Sequence, residues 1–234
     1  MPVTGAPKVA LVTAASQGIG AGVARHLASR GWSVALLARS AAVDTLAREL
    51  GGIAVRGSIT EADALEHLVT AAVARWGRID GVVNNTGHPA KGDPLALTDA
   101  DWENGYHLIL ESVFRLTRLT VPVMERQGAG AIVTISSYAA VRPDATRPVS
   151  SVFRAALSAW TRLMAERLAP HIRVNALLPG FVDTHAVDPA TVATIPLGRP
   201  ARASEIATAA EFLLSDAGSY ITGQNIVIDG GMVR

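Results

Sequence analysis

A short apolar run, Val9–Thr13, ends in Thr13-Ala14-Ala15-Ser16-Gln17-Gly18-Ile19-Gly20 and passes directly into a helical pattern. This strand, glycine elbow and helix constrain the chain more than any other feature. Glycines at such an elbow let backbone come close to a ligand. The helix N-terminus behind them presents free N–H groups and the positive end of its dipole. Together they form a cradle for a nucleotide phosphate. The signal is specific because the glycines lie between a strand and a helix at the start of a βαβ unit.

The rest of the chain repeats the alternation. Further strands are expected at 33–38, 53–56, 81–84, 131–136, 173–178 and 225–228, and helices at 19–30, 41–50, 61–76, 99–127, 150–169 and 203–215. Most of these strands are apolar at every position, as strands covered on both faces are. Within the third helix Leu65, Leu68 and Val69 share one face. Gly31, Gly51, Gly77 and Gly128 follow helices where a left-handed cap is expected. Apolar residues make up 49% of the chain and charged residues 18%, enough apolar material for a doubly covered sheet. The expected architecture is α/β: a single Rossmann domain over 1–234, with a seven-stranded parallel sheet and helices on both faces. The irregular stretches 142–148 and 185–198 both follow strands, on the sheet edge where ligands bind.

Several function classes are disfavoured. A net charge of +1 with no long run of one sign argues against a nucleic-acid surface. The chain has no cysteine, hence no disulfide and no thiolate metal site. The six histidines include no pair at i, i+4, so no metal is expected. No apolar run reaches the ~18 residues of a membrane span. The stretch 8–15 resembles a secretory leader only faintly, and it runs into the elbow rather than a cleavage site. A cytoplasmic protein is expected.

The motifs resemble those of the short-chain dehydrogenase/reductase superfamily. They are the elbow, Asn84-Asn85-Thr86-Gly87, Ile135-Ser136-Ser137, Pro179-Gly180-Phe181-Val182-Asp183-Thr184, Ile195-Pro196-Leu197-Gly198-Arg199, Thr222-Gly223-Gln224 and Asp229-Gly230-Gly231. They occur in order along nearly the whole chain. The resemblance implies a nicotinamide cofactor, alcohol–carbonyl interconversion on a small-molecule substrate, and a homo-oligomer, tetramer or dimer. It places Ser16, Gln17, Gly18, Ile19 and Gly20 at the phosphates, and Ser58 and Ile59 beside the adenine. Asn85, Thr86, Gly87 and Arg154 fall along the ribose, and Pro179, Gly180, Val182 and Thr184 near the nicotinamide. NAD-preferring members carry an acidic residue at the position of Ala38. Arg39 instead suits a 2′-phosphate, because a guanidinium forks onto phosphate oxygens. NADP(H) is therefore favoured over NAD(H). Two positions depart from the cofactor pattern: Ala14 replaces a glycine and Ser58 an aspartate.

The catalytic positions match poorly. The family uses a tyrosine as proton donor, a lysine four residues later on the same helix face, a serine and an asparagine. Ser137 matches the serine. The tyrosine position is Ser150, the lysine position Arg154 and the asparagine position Ile109. The chain has only two lysines, Lys8 and Lys91, and no Tyr-x-x-x-Lys. A serine hydroxyl is a far weaker acid than a phenol, and an arginine stays protonated and does not relay protons. Tyr138, beside Ser137, and His88, next to the Asn-Asn-Thr-Gly motif, are the candidate replacements; a histidine titrates near neutrality. His107 and His185 are weaker candidates.

Three functions remain open on sequence grounds. The first is an NADP(H)-dependent oxidoreductase with a non-standard proton relay. The second is a silent nucleotide-binding homologue, acting as a sensor or partner subunit. The third is a non-redox enzyme on the same fold. Halohydrin dehalogenases, which resemble this superfamily, also carry arginine at the lysine position, but they lack the glycine elbow.

Overall fold

The computed structural model describes residues 6–233. Seven strands form one parallel sheet in the order β3-β2-β1-β4-β5-β6-β7. They are β1 (Val9–Thr13), β2 (Ser33–Ala38), β3 (Ile53–Arg56), β4 (Gly81–Asn84), β5 (Gly130–Ile135), β6 (Ile172–Pro179) and β7 (Asn225–Ile228). The helices between them are α1 (Gly18–Ser29), α2 (Ala42–Glu49), α3 (Ala62–Trp76), α4 (Asp99–Tyr106), α5 (Ser112–Gln127), α6 (Pro148–Leu168), α7 (Pro189–Val192) and α8 (Ala203–Leu214). The strand order reverses between β1 and β4, where Leu11 is paired with Ala35 on one side and Val82 on the other. That reversal opens a crevice at the carboxyl ends of the two strands.

The all-apolar strands have a simple physical reason. Successive side chains point to opposite faces, and each face meets its own helices. Ala10 and Val12 pack with α1, α2 and α8, while Val9 and Leu11 pack with α3, α5 and α6. Leu11, Leu36 and Leu37 are fully buried, and each such leucine stabilises the fold by about 2 kcal/mol. Gly77 and Gly128 close α3 and α5 in the left-handed conformation, each with φ near 72°.

Two elements differ from the sequence expectation. The helix expected over 99–127 is divided by a π turn, His107–Glu111. Residues 185–198, expected to be irregular, contain the single turn α7, started by Pro189 and capped when the Asp188 side chain accepts from Thr191 N. At the other end of the sheet, Arg173 on β6 ties down the C-terminus of α8. Its guanidinium donates to the carbonyls of Leu213 at 2.6 Å, Gly218 at 2.8 Å and Ser215 at 3.1 Å. Among the described residues, no helix is long and apolar enough to cross a membrane.

Candidate active site

The crevice floor is held by a bond across the switch point. Thr13 Oγ1, at the end of β1, donates to Asn85 O at 2.7 Å and accepts from Asn85 N at 2.9 Å. The elbow above it is tight. Ala14 stands at φ 48°, a left-handed conformation that costs an alanine roughly 1–2 kcal/mol and a glycine almost nothing. A Cβ on Gly20 would lie 2.5 Å from Ala14 O and 2.8 Å from Asn85 Nδ2. That close approach admits only glycine.

Around the elbow lies a cavity of about 1090 Å³. Ser16, Gln17, Gly18 and Ile19 line it at α1, Ser58 and Ile59 after β3, and Asn85, Thr86 and Gly87 after β4. Arg39, just past β2, also lines it, exposed and without a carboxylate partner among the described residues. Arg154, His88, Thr184 and His185 line the other end. Among the described residues, no aspartate or glutamate belongs to its walls.

Arg154 projects from α6 and is only 5% exposed. Nε donates to Ser150 Oγ at 3.2 Å and Nη1 to Ile135 O at 2.9 Å. Nη2 donates to Thr86 Oγ1 at 3.2 Å and to Gly87 O at 3.4 Å. Every acceptor is neutral. Burial lowers the guanidinium to about 10, which leaves it cationic at neutral pH. The four-residue spacing puts Ser150 and Arg154 on one helix face.

His88 and His185 meet edge to face, with ring centroids 6.0 Å apart. Burial pushes the His88 imidazole below its usual range, and the positive charges of Arg154, Lys91, His185 and Arg147 add to this. His185 Nδ1 also bonds Thr184 Oγ1 at 3.0 Å.

The remaining expected site residues lie off the cavity walls. Ser137 caps the short turn after β5, its Oγ accepting from Ala139 N at 3.2 Å. Ser150 is buried behind Arg154. Tyr138 packs with Ile195 and Met232. Its hydroxyl donates to Asp144 Oδ2 at 3.2 Å and accepts from Arg147 Nη1 at 2.7 Å. Burial raises its phenol above the usual value. Pro179 and Val182 are buried, and Gly180 packs against the Asp229 backbone. Ile109 is fully buried with Leu110, Val113 and Leu157.

Sequence reasoning passed over Ser136 and Asn104, which both line the cavity. Ser136 Oγ is buried and has no hydrogen-bond partner among the described residues. Motif matching selects the second serine of the pair, whereas the chain leaving β5 brings Ile135 and Ser136 to the cavity.

Comparison with known proteins covers almost all of the chain. The family model described as Enoyl-(Acyl carrier protein) reductase matches residues 13–233. Oxidoreductase UcpA of Salmonella typhimurium is 37% identical over 246 residues, covering 96% of this chain and 94% of that protein. The 3-oxoacyl-(acyl-carrier-protein) reductase FabG of Thermotoga maritima is 33% identical over 240 residues, covering 97% and 98%. A 3-oxoacyl-(acyl-carrier-protein) reductase of Synechocystis is 34% identical over 239 residues, covering 97% of each chain.

Proposed function

The chain belongs to the short-chain dehydrogenase/reductase superfamily, and from that premise we propose that it is an NADP(H)-dependent oxidoreductase interconverting small carbonyl compounds and alcohols. The observation that carries the reading is the cavity at the strand-order reversal, beside an elbow whose Gly20 position admits only glycine, with no carboxylate in its walls among the described residues. Such walls fit a polyanionic dinucleotide. Ser16, Gln17, Gly18, Ile19 and Gly20 would hold the pyrophosphate at the N-terminus of α1. Arg39 would hold a 2′-phosphate where Ala38 leaves no acid for a 2′-hydroxyl. Ser58 and Ile59 would flank the adenine, and Asn85, Thr86, Gly87 and Arg154 the ribose. Pro179, Gly180, Val182 and Thr184 would form the nicotinamide end. The nicotinamide, when bound, supplies or accepts a hydride.

His88 is assigned the proton transfer. Two candidate histidines line the cavity, His88 and His185, and His185 already has Nδ1 engaged with Thr184 Oγ1, which leaves His88. In carbonyl reduction the imidazolium gives its Nε2 or Nδ1 proton to the substrate oxygen, and in alcohol oxidation the neutral ring takes one back. Tyr138 is less suited, because its hydroxyl is already bonded to Asp144 and Arg147. Ser137 and Ser150 each accept one bond and stand off the cavity walls, which suits them to supporting the site from behind rather than to proton transfer. Arg154 stays charged and positions, without relaying protons. The protein is read as a cytoplasmic homo-oligomer, dimer or tetramer; light scattering on the purified chain tests the assembly.

The test is turnover. Protein, NADPH and a carbonyl panel are mixed while nicotinamide absorbance is followed, and thermal shift compares NADPH with NADH. Oxidation of NADPH by any carbonyl supports the reading. NADPH binding without turnover on the whole panel favours a silent nucleotide-binding homologue instead. One observation favours that second reading: Arg154 Nε already occupies Ser150 Oγ, at the position of the missing phenol.

A further inference from the structure

Arg147 closes the loop after β5 and stands at the start of α6, and one edge of its guanidinium is unused. Its Nη1 donates to the Tyr138 hydroxyl at 2.7 Å and to Asp144 Oδ2 at 3.1 Å. The rest of that network is closed. The Tyr138 hydroxyl donates in turn to Asp144 Oδ2 at 3.2 Å, and Asp144 Oδ1 accepts from Thr146 N at 2.9 Å and Thr146 Oγ1 at 2.7 Å. A guanidinium carries five N–H donors. Nη1 holds two of them, so those on Nε and Nη2 have no partner among the described residues. The side chain is 28% exposed, and neither nitrogen is buried. The guanidinium is also held in place, lying over the Phe181 ring at 5.1 Å from its centre. Phe181 comes three residues before Thr184, which lines the cavity with His88 and His185. Gly92 N donates to Thr146 O at 3.1 Å, which stitches the loop carrying His88 and Lys91 to the loop carrying Arg147. The Arg147 charge reaches His88, after burial, Arg154, Lys91 and His185 among the causes that lower that imidazole. Arg147 itself is not part of the cavity wall.

We propose that the Nε–Nη2 edge of Arg147 receives a carboxylate of the substrate, outside the cofactor cavity, so that the substrates are carbonyl compounds or alcohols with a carboxylate set apart from the reacting carbon. The two nitrogens of that edge point the same way and match the two oxygens of a carboxylate, which gives parallel charge-assisted bonds. The edge is ordered before a ligand arrives, because the Phe181 ring and the two bonds from Nη1 already hold the side chain. Asp144 does not compete for it, since both of its oxygens are engaged, each in two hydrogen bonds. Lys91, exposed on the stitched loop, adds a second positive charge. This deepens the oxidoreductase reading and borrows from it only the reacting carbonyl or alcohol; the anion site stands on Arg147 and uses none of the nucleotide walls.

The experiment titrates the full chain calorimetrically with levulinate and with methyl levulinate. The two share a ketone and differ in charge. Levulinate is expected to bind about 10- to 100-fold more tightly, the worth of a hydrogen bond to a charged group. The advantage is expected to vanish in Arg147→Gln. It should lose most of its size in Arg147→Lys, because an ammonium keeps the charge and a partner for Asp144 but has no fork. It should persist in Arg142→Gln, an exposed arginine of the same loop. Equal affinity of the two ligands overturns the proposal. So does an advantage that survives undiminished in Arg147→Gln or Arg147→Lys, one that falls equally in Arg142→Gln, or one that saturating NADP⁺ abolishes, since the anion then sits with the nucleotide. If Arg147→Gln does not fold, Arg147→Lys and the wild-type pair still decide. NADPH oxidation is read separately. An Arg147-dependent preference without turnover leaves the anion site standing and removes the redox reading. Equal turnover of acid and ester with equal affinity does the reverse.

Discussion

Arg154 Nε and Ser150 Oγ, one helical turn apart on α6, are joined by a 3.2 Å hydrogen bond. These two side chains, to which the proposed reading assigns the family's phenol and ammonium positions, are one bonded pair. The pair is buried, and the Ser150 hydroxyl is already accepting a bond. The proposed function accordingly assigns proton transfer to another part of the cavity, which His88 lines.

The first prediction concerns that histidine. His88→Asn is expected to lower carbonyl-reduction kcat by about 10²–10⁴, the usual worth of a positioned acid. NADPH affinity is expected to stay within about twofold, because no phosphate contact is removed. Steady-state kinetics beside fluorescence titration separate the two effects. A variant with wild-type kcat sends the proton back to Tyr138 or a serine.

The pH profile follows from the direction of the His88 shift. Burial and then Arg154 hold its pKa below the ordinary imidazole value. Reduction needs the protonated ring, so kcat is expected to fall as pH rises through that lowered pKa. Oxidation needs the neutral ring and is expected to rise over the same window. In Arg154→Gln one depressing charge is gone, and the inflection should move up. An inflection unmoved by the substitution separates His88 from the profile.

Much of this site could be read from the chain, and the unreadable part has a common cause. β1 is apolar from Val9 to Val12 and closes on Thr13, so its double burial follows from residue type alone. The cradle at Ser16–Ile19 could be read because glycine spacing and a strand–helix junction are local features. Which of Ser136 and Ser137 faces the cleft is decided by the strand's exit direction, a tertiary property. The capture of Tyr138 by Asp144 and Arg147 depends on how a loop closes on itself. His88 and His185 are brought together only by the sheet order. The π turn at His107–Glu111 likewise has no signature in a helix pattern that continues through it.

Cofactor choice is tested at Arg39. It is exposed on the cavity wall beside Ala38. Arg39→Ala is expected to weaken NADPH binding by about 10- to 100-fold, the loss of a charge-assisted bond, with NADH little changed. Parallel titrations with both cofactors give the ratio. An unchanged ratio assigns Arg39 to solvent.

Arg173 makes a stability prediction away from the chemistry. Its donors bond carbonyls at the end of α8, those of Leu213 and Ser215. Arg173→Met keeps much of the stem and removes those donors. It is expected to cost on the order of 2 kcal/mol, read as an earlier urea midpoint with little change in slope. A midpoint equal to wild type means that water replaces the guanidinium there.

The last prediction concerns acid. Glu205 Oε2 accepts from Arg202 N at 2.7 Å and from Arg199 Nη1 at 2.8 Å, while Oε1 accepts from Arg199 Nη2 at 2.8 Å. The Arg199 side chain first, then the Arg202 backbone N–H, lower the carboxyl to about 2, from an ordinary value of 4.5. A carboxyl with a depressed folded-state pKa stabilises the fold above its unfolded pKa, and that contribution is lost as pH falls toward the folded value. Glu205→Gln retains a carbonyl oxygen for Arg202 N and removes only the charge. The variant is therefore expected to melt below wild type near neutral pH, by a margin constant down to about pH 5. The margin should then narrow steadily toward pH 3 as the wild-type contribution is lost. Added salt should narrow it at neutral pH as well, because the pair lies at the surface. A margin independent of pH would mean that shape at position 205, and not charge, holds the start of α8.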